Sequence, residues 1–132
     1  MDYQIIDGRD KMELSEIVRL LRLTYWADKR PAGQIETSTR HSACYGVRVG
    51  GALVGFARVI SDCATTYYLC DVIVDPAYQG NGLGTALVGY IVSLPEYEGL
   101  RGVLITRDAH SLYRKFGFEV LNDRAMVKAL NC

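Results

Sequence analysis

The sequence predicts an α+β fold in α/β/α layers: a mixed, mostly antiparallel sheet of about six to seven strands with helices on both faces. Two patterns carry this expectation. A central block of β-rich runs is broken only by glycine and proline signals, and apolar residues at helical spacing flank that block on either side. With 132 residues, 49% hydrophobic and 23% charged, the chain has the size and balance of one globular domain, residues 1–132.

Tyr3–Asp7 reads as a first strand. Met12–Trp26 reads as a helix because Leu14, Val18, Leu21 and Tyr25 recur on one face, with Glu13, Glu16, Arg19 and Arg22 on the others. Pro31 and the polar run 34–42 indicate a short second helix. Cys44–Val49 and Ala52–Ile60 are β-prone and joined by Gly50-Gly51, a two-residue hairpin turn. Thr65–Val74 is a third such run, stopped by Asp75-Pro76. Leu83, Leu87, Ile91 and Leu94 mark a helix that Pro95 closes. Gly102–Thr106 is a strand, followed by a helix that Asp108 caps and Gly117 ends. Phe118–Leu121 and Arg124–Leu130 complete the series as strands.

Charge excludes some functions. Fifteen basic and fifteen acidic residues give zero net charge, which argues against a nucleic-acid binder, since neutralising phosphates takes clustered positive charge. No apolar run is long enough to span a bilayer, and the first residues carry acids and no apolar leader, so neither membrane insertion nor export is expected. Cys44, Cys63, Cys70 and Cys132 form no C-x-x-C pair and no zinc spacing with His41 or His110. No metal is expected, and the thiols read as reduced and mostly buried in a cytoplasmic protein. Each histidine reads as a surface or capping residue.

The most informative segment is Gln79-Gly80-Asn81-Gly82-Leu83-Gly84-Thr85, between a strand and a helix. Free amides at a helix N-terminus favour anions, and glycine lets the backbone take positive φ or approach a phosphate. No lysine follows, as a P-loop requires, and the dinucleotide fingerprint fails at its third glycine, where Thr85 stands.

The segment Gln79 to Gly84 resembles the Q/R-x-x-G-x-G/A motif of the GNAT superfamily of N-acetyltransferases. Downstream, Leu112-Tyr113-Arg114-Lys115-Phe116-Gly117-Phe118 is similar to that family's L-Y-x-x-x-G-F signature, in the family's order and separation. The resemblance covers most of the chain, least clearly residues 27–42. It implies a GNAT-like fold and transfer of an acetyl group from acetyl-CoA to a primary amine of a small molecule or peptide, by direct attack in a ternary complex. It further implies that the amides of Gln79, Gly80, Asn81, Gly82, Leu83, Gly84 and Thr85 receive the pyrophosphate. Val72, Ile73 and Val74 would pair with the pantetheine arm, with an amide near Val72 facing the thioester carbonyl. Tyr113 would be the general acid for the departing thiolate. Many relatives of this layout form dimers, so a homodimer is compatible with it. The family's asparagine seven residues before the tyrosine is Thr106 here.

Asp71 is the candidate general base: it stands in an apolar run, and strict alternation puts it on the face of Leu69 and Ile73, with Arg58 as an alternative ion-pair partner. The resemblance places the acceptor near Tyr25, Trp26 and Arg58, with Arg30, Asp62 and Tyr67 close by, although Trp26 also suits ordinary core packing. An acid among aromatics, Asp62 or Asp71, suits a cationic, polyamine-like amine. The rival reading is a non-catalytic acyl-CoA-binding module, whose mark would be an intact glycine loop without the tyrosine.

Overall fold

The computed structural model describes residues 1–129. Five strands form one sheet in chain order: β1 (Gln4–Asp7), β2 (Ala43–Val49), β3 (Ala52–Ser61), β4 (Thr66–Val74) and β5 (Arg101–Val103). β1 to β4 pair antiparallel and β5 joins β4 in parallel. The helices are α1 (Leu14–Leu21), α2 (Ala32–Arg40), α3 (Leu83–Val92) and α4 (His110–Arg114). Between β1 and α1, residues Arg9–Lys11 form a 3-10 turn.

The sheet separates two apolar layers. On one side α1 and α2 set Ile17, Leu20, Leu21 and Ile35 against Phe56 and Ile73. On the other, Leu83, Leu87 and Ile91 of α3, with Tyr113 of α4, cover Tyr45, Val47, Tyr67 and Leu69. Gly50 and Gly51 both take positive φ, as the tight β2–β3 hairpin demands.

α1 is shorter than its apolar stripe suggests. Glu13 and Glu16 form a capping box at its start. At its end Thr24 Oγ1 donates to the Leu21 carbonyl and accepts from the Ala27 amide, closing a turn in place of further helix. Arg22 donates to the Ala27 and Arg30 carbonyls and fixes that turn. Tyr25 and Trp26 are thereby left exposed.

The sheet has five strands among the described residues, not six or seven. Phe118–Leu121 and 124–129 are not strands, and Leu130 lies outside the described residues, as does Cys132. Alternation alone supplies no hydrogen-bond partner, and β5, three residues long, pairs only with β4. Phe118 turns back instead: its amide donates to the Tyr113 carbonyl and its ring meets the Tyr113 ring edge-on at 6.1 Å. The start of α4 also differs from expectation: its N-cap is Ala109 and not Asp108, no side chain caps it, and Thr106 Oγ1 accepts from the Ala109 amide just before the helix. Of the thiols, Cys44 is buried, Cys70 half-buried and Cys63 exposed, and all three are free.

One ion pair ties the first layer to the sheet. Arg48 of β2 donates to both oxygens of Glu16 at 2.7 and 2.9 Å, and also to the Lys11 and Gly51 carbonyls. The Arg48 bonds hold the Glu16 carboxyl down at about 2, from an ordinary 4.5. Its stabilisation is therefore complete above pH 4.5 and is lost as pH falls towards 2. In thermal melts Glu16→Gln should lose about 1 kcal/mol at pH 7, and the gap to wild type should narrow below pH 4.5 and largely close at pH 2. A gap of constant size across that range would contradict the assignment.

Candidate active site

β4 is where the site begins. Arg58 stands opposite Cys70 but Phe56 stands opposite Ile73, so two steps along β3 match three along β4. The extra residue is taken up at Asp71, whose φ of 54° lies in the left-handed region that Asp tolerates better than most side chains. The bulge switches faces. Leu69 packs under α3, whereas Ile73 packs under α1, so the expected shared face of Leu69, Asp71 and Ile73 does not exist. Asp71 is buried and both Arg30 and Arg58 donate to its Oδ2, at 2.8 and 2.9 Å.

β4 and β5 pair only over Thr66–Tyr68 and Arg101–Val103. Beyond Tyr68 that edge of β4 has no strand partner among the described residues, and a cavity of about 340 Å³ opens there towards α3 and α4. Val72, Val74, Gln79, Gly80, Gly82, Leu83, Gly84 and Thr85 line it, joined by Ser111, Leu112, Tyr113 and Lys115 from the α4 segment. Among the sequence candidates, Ile73 and Asn81 do not line it. Ile73 is turned to the opposite layer, and the Asn81 amide group folds back onto the Tyr78 carbonyl at 3.0 Å. Gln79 Nε2 likewise donates to the Val74 carbonyl at 3.2 Å, bracing the strand end against the loop.

Gly82 is the N-cap of α3 with φ 75°, and Gly80 has φ 84°, conformations that a Cβ would strain. No side chain caps the helix, and its first closing bond is Ala86 N–H to the Gly82 carbonyl at 3.0 Å. The backbone amides from Gly80 to Thr85 donate to no protein group among the described residues. Converging on a cavity at the positive end of a helix, they suit a polyanion. Lys115 adds a full positive charge, which sequence reasoning missed. Its signal was the spacing from Ser111, one helical turn along the same face.

A second cavity, of about 430 Å³, lies next to the first. Tyr25, Trp26, Arg30, Arg58 and Asp71 line it, together with Tyr68, Thr106, Arg107 and Asp108. Trp26 is therefore a wall of this cavity and not core; its ring meets Tyr25 edge-on at 5.2 Å, and the Arg107 guanidinium lies 3.9 Å over the Tyr25 ring. Asp62 does not reach it: that carboxylate accepts from the Ala64, Thr65 and Thr66 amides and the Thr65 hydroxyl, closing the β3–β4 turn. Tyr67 is buried beneath α3.

Tyr113 lines both cavities and is 8% exposed. Its hydroxyl has no hydrogen-bond partner among the described residues and is not sealed from solvent. Burial, and then the neighbouring Asp108 charge, push the phenol above the usual tyrosine value near 10, so it is a proton donor at neutral pH. No group of three or more metal-ligating side chains is gathered among the described residues. No described helix is long and apolar enough to cross a membrane.

Fold and site together define a GNAT-type α/β/α domain, with free amides at a helix terminus, a strand edge unpaired beyond Tyr68 among the described residues and a tyrosine lining two cavities. The family model for the acetyltransferase (GNAT) domain matches residues 40–120. A crystallised protein of Xanthomonas campestris pv. campestris, described as an acetyltransferase of the GNAT family, is 35% identical. It aligns over 98% of this chain and 94% of that one, with a TM-score of 0.91. The uncharacterized N-acetyltransferase ycf52 of Porphyra purpurea is 28% identical over 120 residues, 86% of this chain and 68% of that protein. A Glycine max protein named histone acetyltransferase TAP1 is 38% identical over 69 residues, which span 51% of this chain but only 30% of that protein. The chain belongs to the GNAT acetyltransferase family.

The loop assignment makes a direct expectation. In Gly82→Asp the left-handed φ is strained by about 1 to 2 kcal/mol, which aspartate tolerates better than most side chains, so the fold should persist while a carboxylate joins the lining of the cavity. Acetyl-CoA affinity by calorimetry should fall at least about tenfold, while the protein still unfolds in one cooperative transition, several degrees lower. Unchanged affinity would remove the loop from the site.

Proposed function

We propose that this domain transfers the acetyl group of acetyl-CoA to the amine of a small molecule, with both substrates bound together. The observation that carries this reading is the position of Tyr113, which lines two adjoining cavities of different character and whose hydroxyl lacks a partner among the described residues.

Bound acetyl-CoA supplies an activated acyl carbon and a thiolate leaving group. The residues present fit it: the amides from Gly80 to Thr85 and Lys115 take the phosphates, and the unpaired edge of β4 at Val72 and Val74 runs beside the arm. An amide near Val72 is assigned to the thioester oxygen as negative charge builds there. The acceptor enters from the side of Tyr25, Trp26 and Arg58. Its nitrogen bonds to the acyl carbon, the carbon–sulfur bond breaks, and Tyr113 gives its proton to the sulfur and recovers one from solvent.

Asp71 takes the place of base through Oδ1, the oxygen that neither arginine uses. There it accepts the hydrogen bond of the incoming nitrogen and passes the lost proton to water. The whole chain as one domain acting through one cleft is part of the same reading.

Tyr113→Phe keeps the ring that packs on Phe118 and removes only the acid. Turnover should drop roughly a hundredfold with acetyl-CoA affinity unchanged. Wild-type activity should hold up to pH 10, because the phenol titrates above its ordinary value. Full activity in the Phe variant would end the role given to Tyr113. Acetyl-CoA binding without thiol release across a broad amine panel would favour a binding module instead.

A further inference from the structure

The electrostatics of the second cavity select among amines. An unpaired charge is costly to bury, so an enclosed site declares its ligand by the charge left over once the protein's own pairs are counted. The side chains of Asp71, Arg58 and Arg30 are only 5%, 12% and 18% exposed. Both arginines donate to one carboxylate oxygen, and neither pairs with another carboxylate among the described residues. One negative charge against two leaves a surplus guanidinium at the floor of the cavity.

The rest of the lining does not cancel it. Arg107 and Asp108 at the mouth offset each other in charge. Burial pushes the Cys70 thiol up to about 11 and the Tyr68 phenol above its usual value, so both stay neutral near pH 7. Arg58 Nη1 and Nη2 donate to no protein acceptor among the described residues, yet no buried polar side-chain atom there is left without a partner. Those nitrogens therefore keep contact with solvent, on a residue that lines the cavity. A guanidinium edge of this kind matches a carboxylate or phosphate in two-point geometry.

We infer that the acceptor carries an anionic group, carboxylate or phosphate, close to its amine, and that Arg58 with Arg30 binds that group while Asp71 Oδ1 faces the ammonium. The inference rests on the acetyltransferase reading above. It replaces the polyamine-like acceptor that an isolated acid among aromatics suggests, because this acid is already paired twice. A cavity of about 430 Å³ suits a small acceptor of amino-acid or aminoalkyl-phosphate size.

The test uses the unmodified protein and matched acceptors, with thiol release as the readout and acetyl-CoA binding measured first by calorimetry. Each pair differs only in the acidic group: an amino acid against its amide, an aminoalkyl phosphate against its amino alcohol, with a polyamine as the cationic arm. The acidic member of at least one pair should have a kcat/KM about tenfold or more above its neutral partner, mainly through KM. Which pair shows the gap tells carboxylate from phosphate. Arg58→Gln should shrink that ratio, and Arg58→Lys should restore part of it. Neutral or cationic acceptors turned over as well as the acidic ones would overturn the inference and leave the acetyltransferase reading intact. So would acetyl-CoA binding with no turnover of any acidic member. Failure to bind acetyl-CoA would remove the acetyltransferase reading, and this inference with it.

Discussion

Asp71 sits in the left-handed region in the middle of β4, and arginines from the α1–α2 connection and from β3 hold its carboxylate there. An aspartate at such a φ is strained by about 1 to 2 kcal/mol, and the two charge-assisted bonds offset that. The rest of the site depends on this arrangement. By adding a residue to β4 the bulge turns Ile73 towards α1 and leaves Val72 and Val74 on the α3 side. Pairing with β5 has ended by then, so a free strand edge faces the N-terminus of α3 across a cavity. The same carboxylate, with its arginines, forms the floor of the neighbouring cavity.

The two cavities handle charge by different means, which makes the proposed polyanionic substrate compatible with a chain of zero net charge. At the α3 terminus the positive potential comes from backbone amides and the helix dipole, which leave no trace in a residue count. Among the described residues that line it, only Lys115 adds a formal charge. In the second cavity the potential comes from guanidinium groups, partly cancelled by Asp71. Tyr113 lines both, protonated at neutral pH and still in contact with solvent, as the proposed role of acid requires.

What was legible in the sequence was local. The glycine loop and α3 could be read because positive φ at Gly80 and Gly82 and a helix lacking a side-chain cap both leave marks in consecutive residues. Tyr113 was legible through the segment around it. The bulge was not, because Leu69 to Val74 reads as one unbroken strand and the extra residue shows only against the β3 register. The Arg30 partner of Asp71 lies 41 residues away, beyond any local pattern. The first helix was read too long because its apolar stripe runs past Leu21, whereas a single Thr24 hydroxyl ends it. For the last two segments, residue types alone cannot reveal that no strand among the described residues pairs with them.

Amide hydrogen exchange, followed residue by residue with and without acetyl-CoA, probes the link between the bulged strand and the helix terminus most directly. The amides from Gly80 to Thr85, free of protein acceptors among the described residues, should slow markedly on binding, together with amides of β4 beyond Asp71, while the β1–β2 edge stays unchanged. Protection confined to other segments, with Gly80 to Thr85 exchanging as fast as before, would contradict the placement of acetyl-CoA between β4 and α3.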